Sequence, residues 1–282
     1  MRLVRYESGS RTGIGALTGE GDRERVLATP WESFERLFAL ADPLAAVGAL
    51  DLADAPEVTV SRRLAPVVDR PQVIGVGGNY AEHTDESSAV LDVREPIFFP
   101  FLQSAVIGPD DDIVIPAEDT QTDYEVEFSV VIGRTAKRLT EDNAMDHVFG
   151  YTIVNDVSAR EVVVRERMQM MLCKSVDTFV PVGPCVVTRD DIPDPYEVEI
   201  ATYLNGAVRQ HAKTAEMTTR IPALLALLTR TITLRPGDIV TTGTPGGVGF
   251  FRTPQEFMAP GDTITAEAVG VGRLTNRVVR GW

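Results

Sequence analysis

The stretch Asp123-Tyr124-Glu125-Val126-Glu127-Phe128-Ser129-Val130-Val131-Ile132-Gly133, followed by Gly150-Tyr151-Thr152-Ile153-Val154-Asn155-Asp156, decides how this chain is read. Alternate residues of a β-strand point to one face, so Glu125 and Glu127 present two carboxylates side by side while Val126, Phe128 and Val130 face the other way. Neighbouring anions raise each other's pKa or recruit a cation. All-oxygen donors suit a hard ion such as Mg²⁺, Mn²⁺ or Ca²⁺. Asp156, after a second apolar strand, is the natural third ligand. A plainer reading places Glu125 and Glu127 on the wet face of an amphipathic strand. Against it, Val130-Val131-Ile132 is apolar on both faces, which marks a buried strand.

At 282 residues the chain is long enough to bury a substantial core in one large domain, or in one domain plus a small appendage. Its two cysteines, Cys173 and Cys185, argue against a disulfide framework and read as packed core thiols in a reducing compartment. No apolar run reaches the ~18 to 20 residues of a membrane-spanning helix and the N-terminus does not resemble a signal peptide, so the expectation is a cytoplasmic protein with no membrane partner. With 27 basic against 41 acidic residues the net charge is −14, which opposes nucleic-acid binding. A small anionic substrate would need a locally positive pocket.

Residues 1–68 read as a small N-terminal subdomain, with strand signals at Leu3–Tyr6 and Gly13–Leu17 and a helical stretch from Trp31 to about Ala49. Ser61-Arg62-Arg63-Leu64-Ala65-Pro66 is a polar, proline-terminated linker. Residues 69–282 form the second unit, mostly β, with an Asn205-Gly206 hairpin and helical periodicity at Glu141–His147 and Ile221–Leu228. Pro236-Gly237-Asp238-Ile239-Val240 and Pro260-Gly261-Asp262-Thr263-Ile264 are similar turns, each feeding a strand.

Five segments carry a resemblance. They are Gly75-Val76-Gly77-Gly78-Asn79-Tyr80-Ala81-Glu82-His83, Asp123–Glu127, Gly150–Arg160, Lys174-Ser175-Val176-Asp177-Thr178-Phe179-Val180-Pro181-Val182-Gly183-Pro184, and Gly243-Thr244-Pro245-Gly246-Gly247-Val248-Gly249. In this order and at these separations the chain, over about residues 72–280, resembles the fumarylacetoacetate hydrolase family. The resemblance implies an α+β, predominantly β fold: a mixed β-roll catalytic domain, usually dimeric, that binds Mg²⁺ or Mn²⁺ through Glu125, Glu127 and Asp156.

His83 and Glu86 lie three residues apart, on one face of a helical turn. Taken alone such a pair reads as a surface ion pair. In the family the equivalent pair rides on a mobile lid over the metal and activates water, which makes His83 and Glu86 candidate catalytic residues; Gly75, Gly77 and Gly78 and a polar run around Asp85 suit a lid over about residues 79–95. His147 reads as a helix-surface residue and His211 as a loop residue. Lys174 and Arg160 supply the positive charge an acidic protein needs to hold a carboxylate. By resemblance they contact the carboxylate and enolate oxygen of a 2-oxo acid, with Thr244 adding a hydroxyl donor. The glycines of Gly243–Gly249 are not followed by the lysine of a phosphate-binding loop, so nucleotide binding is discounted.

Two positions depart from the family pattern. Phe101 and Val163 stand where a lysine and a glutamine are common, which makes the pocket more apolar. The leading expectation is a metal-dependent hydrolase that cleaves the C–C bond of an acylpyruvate-like 2,4-dioxo acid and expels a pyruvate enolate, stabilised by the metal, Lys174 and Arg160. Decarboxylation of oxaloacetate passes through the same enolate, and hydration or isomerisation of an unsaturated 2-oxo acid is a third route; fold alone does not choose among them. A non-catalytic 2-oxo acid binding protein is the reading from another class.

Overall fold

The strand Val126–Ile132 is buried along its whole length. It is flanked on both edges, by Val148–Asn155 and Ile239–Thr241, and covered on both faces. In the computed structural model, which describes residues 1–19, 21–87, 95–117, 121–165 and 169–281, the period-2 alternation of this strand sorts its side chains between two cores. Val126, Phe128, Val130 and Ile132 enter one, with Tyr151, Ile153 and the helix Ile221–Thr229. Val131 enters the other, with Phe149, Val154 and the helical residues Phe34, Leu37 and Val47. The Phe128 and Tyr151 rings stack at 4.8 Å. The wet-face reading of Glu125 and Glu127 is thereby overturned: they are 4% and 1% exposed.

The large sheet runs in the order Arg25–Ala28, Arg11–Thr18, Arg2–Ser8, Val180–Thr188, Val148–Asn155, Val126–Ile132, Ile239–Thr241, Val73–Gly77 and Ile97–Phe101. A smaller sheet, in the order Ala207–Lys213, Glu199–Leu204, Thr263–Ala268, Gly272–Arg280 and Ile113–Ile115, shares the first core through Ile200, Ala212, Ala266 and Leu274. This is the α+β, mainly β architecture expected. The N-terminal strands continue the large sheet, with Leu3 opposite Val186, so hydrogen-bonded pairing crosses the expected boundary at residue 68.

The helical stretch expected over Trp31–Ala49 is two short helices, Phe34–Phe38 and Pro43–Gly48. Ser33 caps the first; Asp42 caps the second, accepting from the Ala45 amide at 3.1 Å. Pro43, which lacks an N–H, fits only the first turn of a new helix. The Asn205-Gly206 turn has φ of 52° and 81°, the left-handed pair such a hairpin needs. The two Pro-Gly-Asp turns share one device. The Arg235 amide donates to Asp238 and the Ala259 amide to Asp262, each at 2.7 Å, and the intervening glycine takes a positive φ.

Candidate active site

Antiparallel register assembles the acidic cluster. Val126 pairs with Asn155 and Glu127 with Val154, so the chain leaving the second strand passes beside Glu125, and the Asp156 amide donates to the Glu125 carbonyl at 2.9 Å. The Asn155 side chain accepts from the Glu125 amide at 3.1 Å. Glu125, Glu127 and Asp156 then offer one oxygen each, all within 4.8 Å of one another, from three buried side chains. Among the described residues Glu127 Oε2 and Asp156 Oδ1 are buried without a hydrogen-bond partner, an arrangement that costs stability unless something else satisfies them.

Two buried cations border the cluster. The Lys174 Nζ, brought in by the short helix Met170–Lys174, donates to Glu125 Oε2 at 2.7 Å and to Asp156 Oδ2 at 2.8 Å. Arg160, which starts the helix Arg160–Arg165, donates from Nε to Asp123 Oδ2 at 2.9 Å and from a terminal nitrogen to Glu125 Oε1. Four buried carboxylates (Asp123, Glu125, Glu127 and Asp156) thus face two buried cations, which leaves two negative charges that a divalent ion would neutralise. Charge count, oxygen donors and orphaned oxygens together fit a hard divalent cation.

The pKa pattern has the same cause. Burial pushes Glu125 up, but the Lys174 and Arg160 charges outweigh it and hold the carboxyl down at about 2. Burial, with Asp156 and Glu125 nearby, pushes Glu127 well above the usual carboxylate range. Asp156 is pushed up by burial to about 7 despite the Lys174 ammonium beside it. Burial opposes the Lys174 charge, yet Asp156 and Glu125 outweigh it and raise the ammonium above its ordinary value. Burial and mutual repulsion thus favour the protonated forms of Glu127 and Asp156.

The expected base lies on the helix Ala81–Ser87. His83 Nδ1 is 3.7 Å from Glu86 Oε2, too long for a hydrogen bond, and among the described residues it has no hydrogen-bond partner. Glu86 instead accepts from the Gly247 amide, at 3.0 and 3.2 Å to its two oxygens, which ties this helix to the Gly243–Gly249 loop. Of the expected lid glycines, Gly75 and Gly77 lie within the strand Val73–Gly77; Gly78 alone has a left-handed φ, 71°. Residues 88–94 of that expected segment lie outside the described residues. His211, expected in a loop, lies on the strand Ala207–Lys213 and is exposed, 3.7 Å from Glu199, because the Asn205-Gly206 hairpin extends past it.

Thr244 is buried, and its Oγ1 accepts from Gln210 Nε2 at 2.8 Å. Gln210 also donates to the Pro245 carbonyl at 2.9 Å and accepts from the Val126 amide and the Thr202 hydroxyl at 3.1 and 2.8 Å. All of its polar capacity is used to join the smaller sheet, the strand between the two glutamates and the Thr244 loop. Phe101 is buried edge-on against Phe99 at 5.3 Å, and the Phe99 ring lies 5.9 Å from Lys174 Nζ. The Val163 side chain lies outside the described residues. Sequence reading missed Gln210 and Asp123. Asp123 carried a signal, since the alternation that pairs Glu125 with Glu127 extends back to it.

Comparison with known proteins fixes the lineage. The fumarylacetoacetate (FAA) hydrolase C-terminal family matches residues 72–279. The chain belongs to the fumarylacetoacetate hydrolase family. A mitochondrial oxaloacetate tautomerase of Bos taurus is 42% identical over 217 residues, covering 77% of this chain and 69% of the relative. A fumarylacetoacetate hydrolase from psychrophilic Exiguobacterium antarcticum superposes with a TM-score of 0.83 at 35% identity, covering 100% of both chains. A 2-hydroxyhepta-2,4-diene-1,7-dioate isomerase from Mycobacterium marinum superposes with a TM-score of 0.80 at 33% identity, covering 99% of this chain and 98% of that one. Relatives of this family member are thus named as a tautomerase, a hydrolase and an isomerase, enzymes of more than one reaction. Among the described residues no helix is long and apolar enough to cross a membrane.

Proposed function

We propose that this chain is a divalent-metal-dependent enzyme that interconverts the keto and enol forms of a 2-oxo acid of the oxaloacetate type. One observation carries the reading: the buried Glu125, Glu127 and Asp156 cluster, two oxygens short of partners, with the Lys174 ammonium set between two of its members. The 42% identity to a tautomerase over the part of the chain that holds this cluster supports the choice of reaction.

Glu125, Glu127 and Asp156 would hold Mg²⁺ or Mn²⁺, and Ca²⁺ fits the same donors. When bound, the ion supplies electrostatic stabilisation to the oxygen that becomes negative as the enolate forms. Lys174 adds a fixed positive charge at the same place, already oriented by two carboxylates. Lys174 and Arg160 together keep Glu125 ionised. His83 removes the proton from the carbon beside the 2-oxo carbonyl and returns a proton at the other end of the enolate, a transfer worth typically 10²- to 10⁴-fold. Thr244, oriented by Gln210, offers a hydroxyl to the substrate carboxylate. Phe101 packs into the core beside Phe99, whose ring lies 5.9 Å from Lys174 Nζ.

C–C hydrolysis of an acylpyruvate is the second reading, favoured by the likeness to fumarylacetoacetate hydrolase at 35% identity. It requires a water activated by His83 and oriented by Glu86, whereas Glu86 is engaged by the Gly247 amide. Decarboxylation of oxaloacetate shares the enolate and needs no base. We further propose a homodimer, and action in the cytoplasm, although the Bos taurus relative is named as a mitochondrial protein. The test is a screen of oxaloacetate, acylpyruvates and unsaturated 2-oxo diacids with Mg²⁺ or Mn²⁺, following enol absorbance and products separately. Enol–keto interconversion without carbon–carbon cleavage supports the first reading. Pyruvate and a free acid from an acylpyruvate would move the assignment to the second, and pyruvate and CO₂ from oxaloacetate to decarboxylation.

A further inference from the structure

We infer that Asp123 is a positioning residue: it holds Arg160 so that Glu125 stays available to a metal ion, and it fixes the turn that carries Phe250 and Phe251 against the site. The inference rests on the reading of Glu125, Glu127 and Asp156 as metal ligands.

Asp123 is fully buried, and both of its oxygens are used. Oδ1 accepts from the Gly249 amide at 2.7 Å and the Tyr124 amide at 2.9 Å; Oδ2 accepts from Arg160 Nε at 2.9 Å and the Phe250 amide at 3.0 Å. A terminal nitrogen of the same guanidinium, itself 2.9 Å from Asp123 Oδ2, reaches Glu125 Oε1, while Lys174 holds Glu125 Oε2 at 2.7 Å. Glu125 therefore has a cation on each oxygen. A guanidinium paired with Glu125 alone would compete with a metal ion for that carboxylate. Shared with Asp123, it orients Glu125 and leaves more negative charge for the metal, as outer carboxylates do at other metal sites.

The second attachment is to the turn Gly249–Phe251. A Cβ at residue 249 would lie 1.8 Å from the Glu256 carbonyl oxygen and 2.7 Å from Asp123 Oδ1, so the backbone approaches the carboxylate this closely only because residue 249 is glycine. From this turn the Phe250 ring lies 5.9 Å from the Arg160 guanidinium, and the Phe251 ring meets His83 edge-on at 6.0 Å. One side chain thus links the metal-ligand strand, the cationic helix and the wall beside the base.

A merely structural Asp123 would affect folding and nothing else. The control is Asp238→Asn, since Asp238 is also buried and accepts three hydrogen bonds, from the Gln72 amide, the Gln72 side chain and the Arg235 amide, away from the acidic cluster. Mn²⁺ binding to the full chain is measured by calorimetry for the parent, Asp123→Asn and Asp238→Asn, with thermal unfolding alongside. Both variants should melt earlier. Only Asp123→Asn should weaken Mn²⁺, by about 10- to 100-fold, the range for loss of an outer carboxylate. An Asp123→Asn affinity within about threefold of the parent, or equal weakening in Asp238→Asn, overturns the inference. If Asp123→Asn does not fold, Arg160→Lys, which keeps the positive charge but lacks the planar fork that joins Asp123 to Glu125, is titrated with the same two outcomes. A parent that takes up no Mn²⁺ overturns both the metal reading and this one; a parent and variant that bind alike overturn this one only.

Discussion

Replacing Lys174 by methionine removes one of the two cations that balance four buried carboxylates, and its consequences separate stability, metal binding and turnover. Lys174 is 3% exposed and donates to Glu125 and Asp156 at 2.7 and 2.8 Å. Each is a charge-assisted hydrogen bond of about 1.5–3 kcal/mol, and breaking a buried ion pair by removing one partner costs about 3–5 kcal/mol. Methionine keeps the volume of the stem, so the change is electrostatic. At about 2–4 °C per kcal/mol, or somewhat less for a chain of this size, Lys174→Met should lower the melting temperature of the metal-free protein by on the order of 10 °C. The same substitution removes a positive charge beside two ligands, so Mn²⁺ should bind on the order of tenfold more tightly and recover part of the lost stability. Turnover should nonetheless fall by about 10²-fold or more, because a fixed charge at the developing enolate oxygen is gone. The assay is thermal unfolding with and without Mn²⁺, paired with enol–keto kinetics on the same preparations. A metal-free melting temperature within about 2 °C of the parent, or weaker Mn²⁺ binding, would refute the charge balance described for this site.

Three further outcomes follow from the geometry. In the metal-free chain the folded Asp156 carboxyl, at about 7, binds its proton more tightly than an unfolded aspartate near 3.8. The native state then holds the extra proton, and this group's contribution falls as pH rises from about 4 to 7. Glu125, held down at about 2, contributes in the opposite sense, fully above its ordinary value and lost below it. Melting temperatures between pH 5 and 7 should therefore drop in the metal-free protein, and saturating Mn²⁺ should flatten the drop by displacing the protons; equal slopes with and without Mn²⁺ would contradict the assignment. His83→Ala should slow enol–keto interconversion by about 10²- to 10⁴-fold while Mn²⁺ affinity stays near the parent value, and a loss of only a few-fold would remove His83 as the proton carrier. Sedimentation at micromolar concentration should give a dimer; a monomer would count against the proposed assembly.

Much of the site was legible because period-2 alternation is a strict rule. Glu125, Glu127 and the buried Val130–Ile132 run are placed correctly by it, and Asp156 follows from the antiparallel pairing of two apolar strands. The hairpin at Asn205-Gly206 was legible because its left-handed backbone selects those residues. What stayed hidden depends on contacts between segments distant in sequence. Nothing near Gln210 shows that it joins Val126, Thr202 and Thr244, nor does any local pattern around Glu86 point to the Gly247 amide. The N-terminal strands read as a separate unit because their own periodicity is complete; their pairing with Val180–Thr188 is a tertiary fact. The helical stretch read over Trp31 to about Ala49 is split into two helices for a local reason, Pro43 behind the capping Asp42, which the sequence contained.

The most direct test of the account is the position of a single metal ion. Crystals of the full chain grown or soaked with Mn²⁺ should show one strong anomalous peak per chain, with one oxygen each from Glu125, Glu127 and Asp156 at about 2.0–2.3 Å. The peak should vanish in Glu127→Gln crystals treated alike. No peak in the parent, or a peak that any one of these three carboxylates does not touch, would contradict the claim that they form a single divalent-cation site.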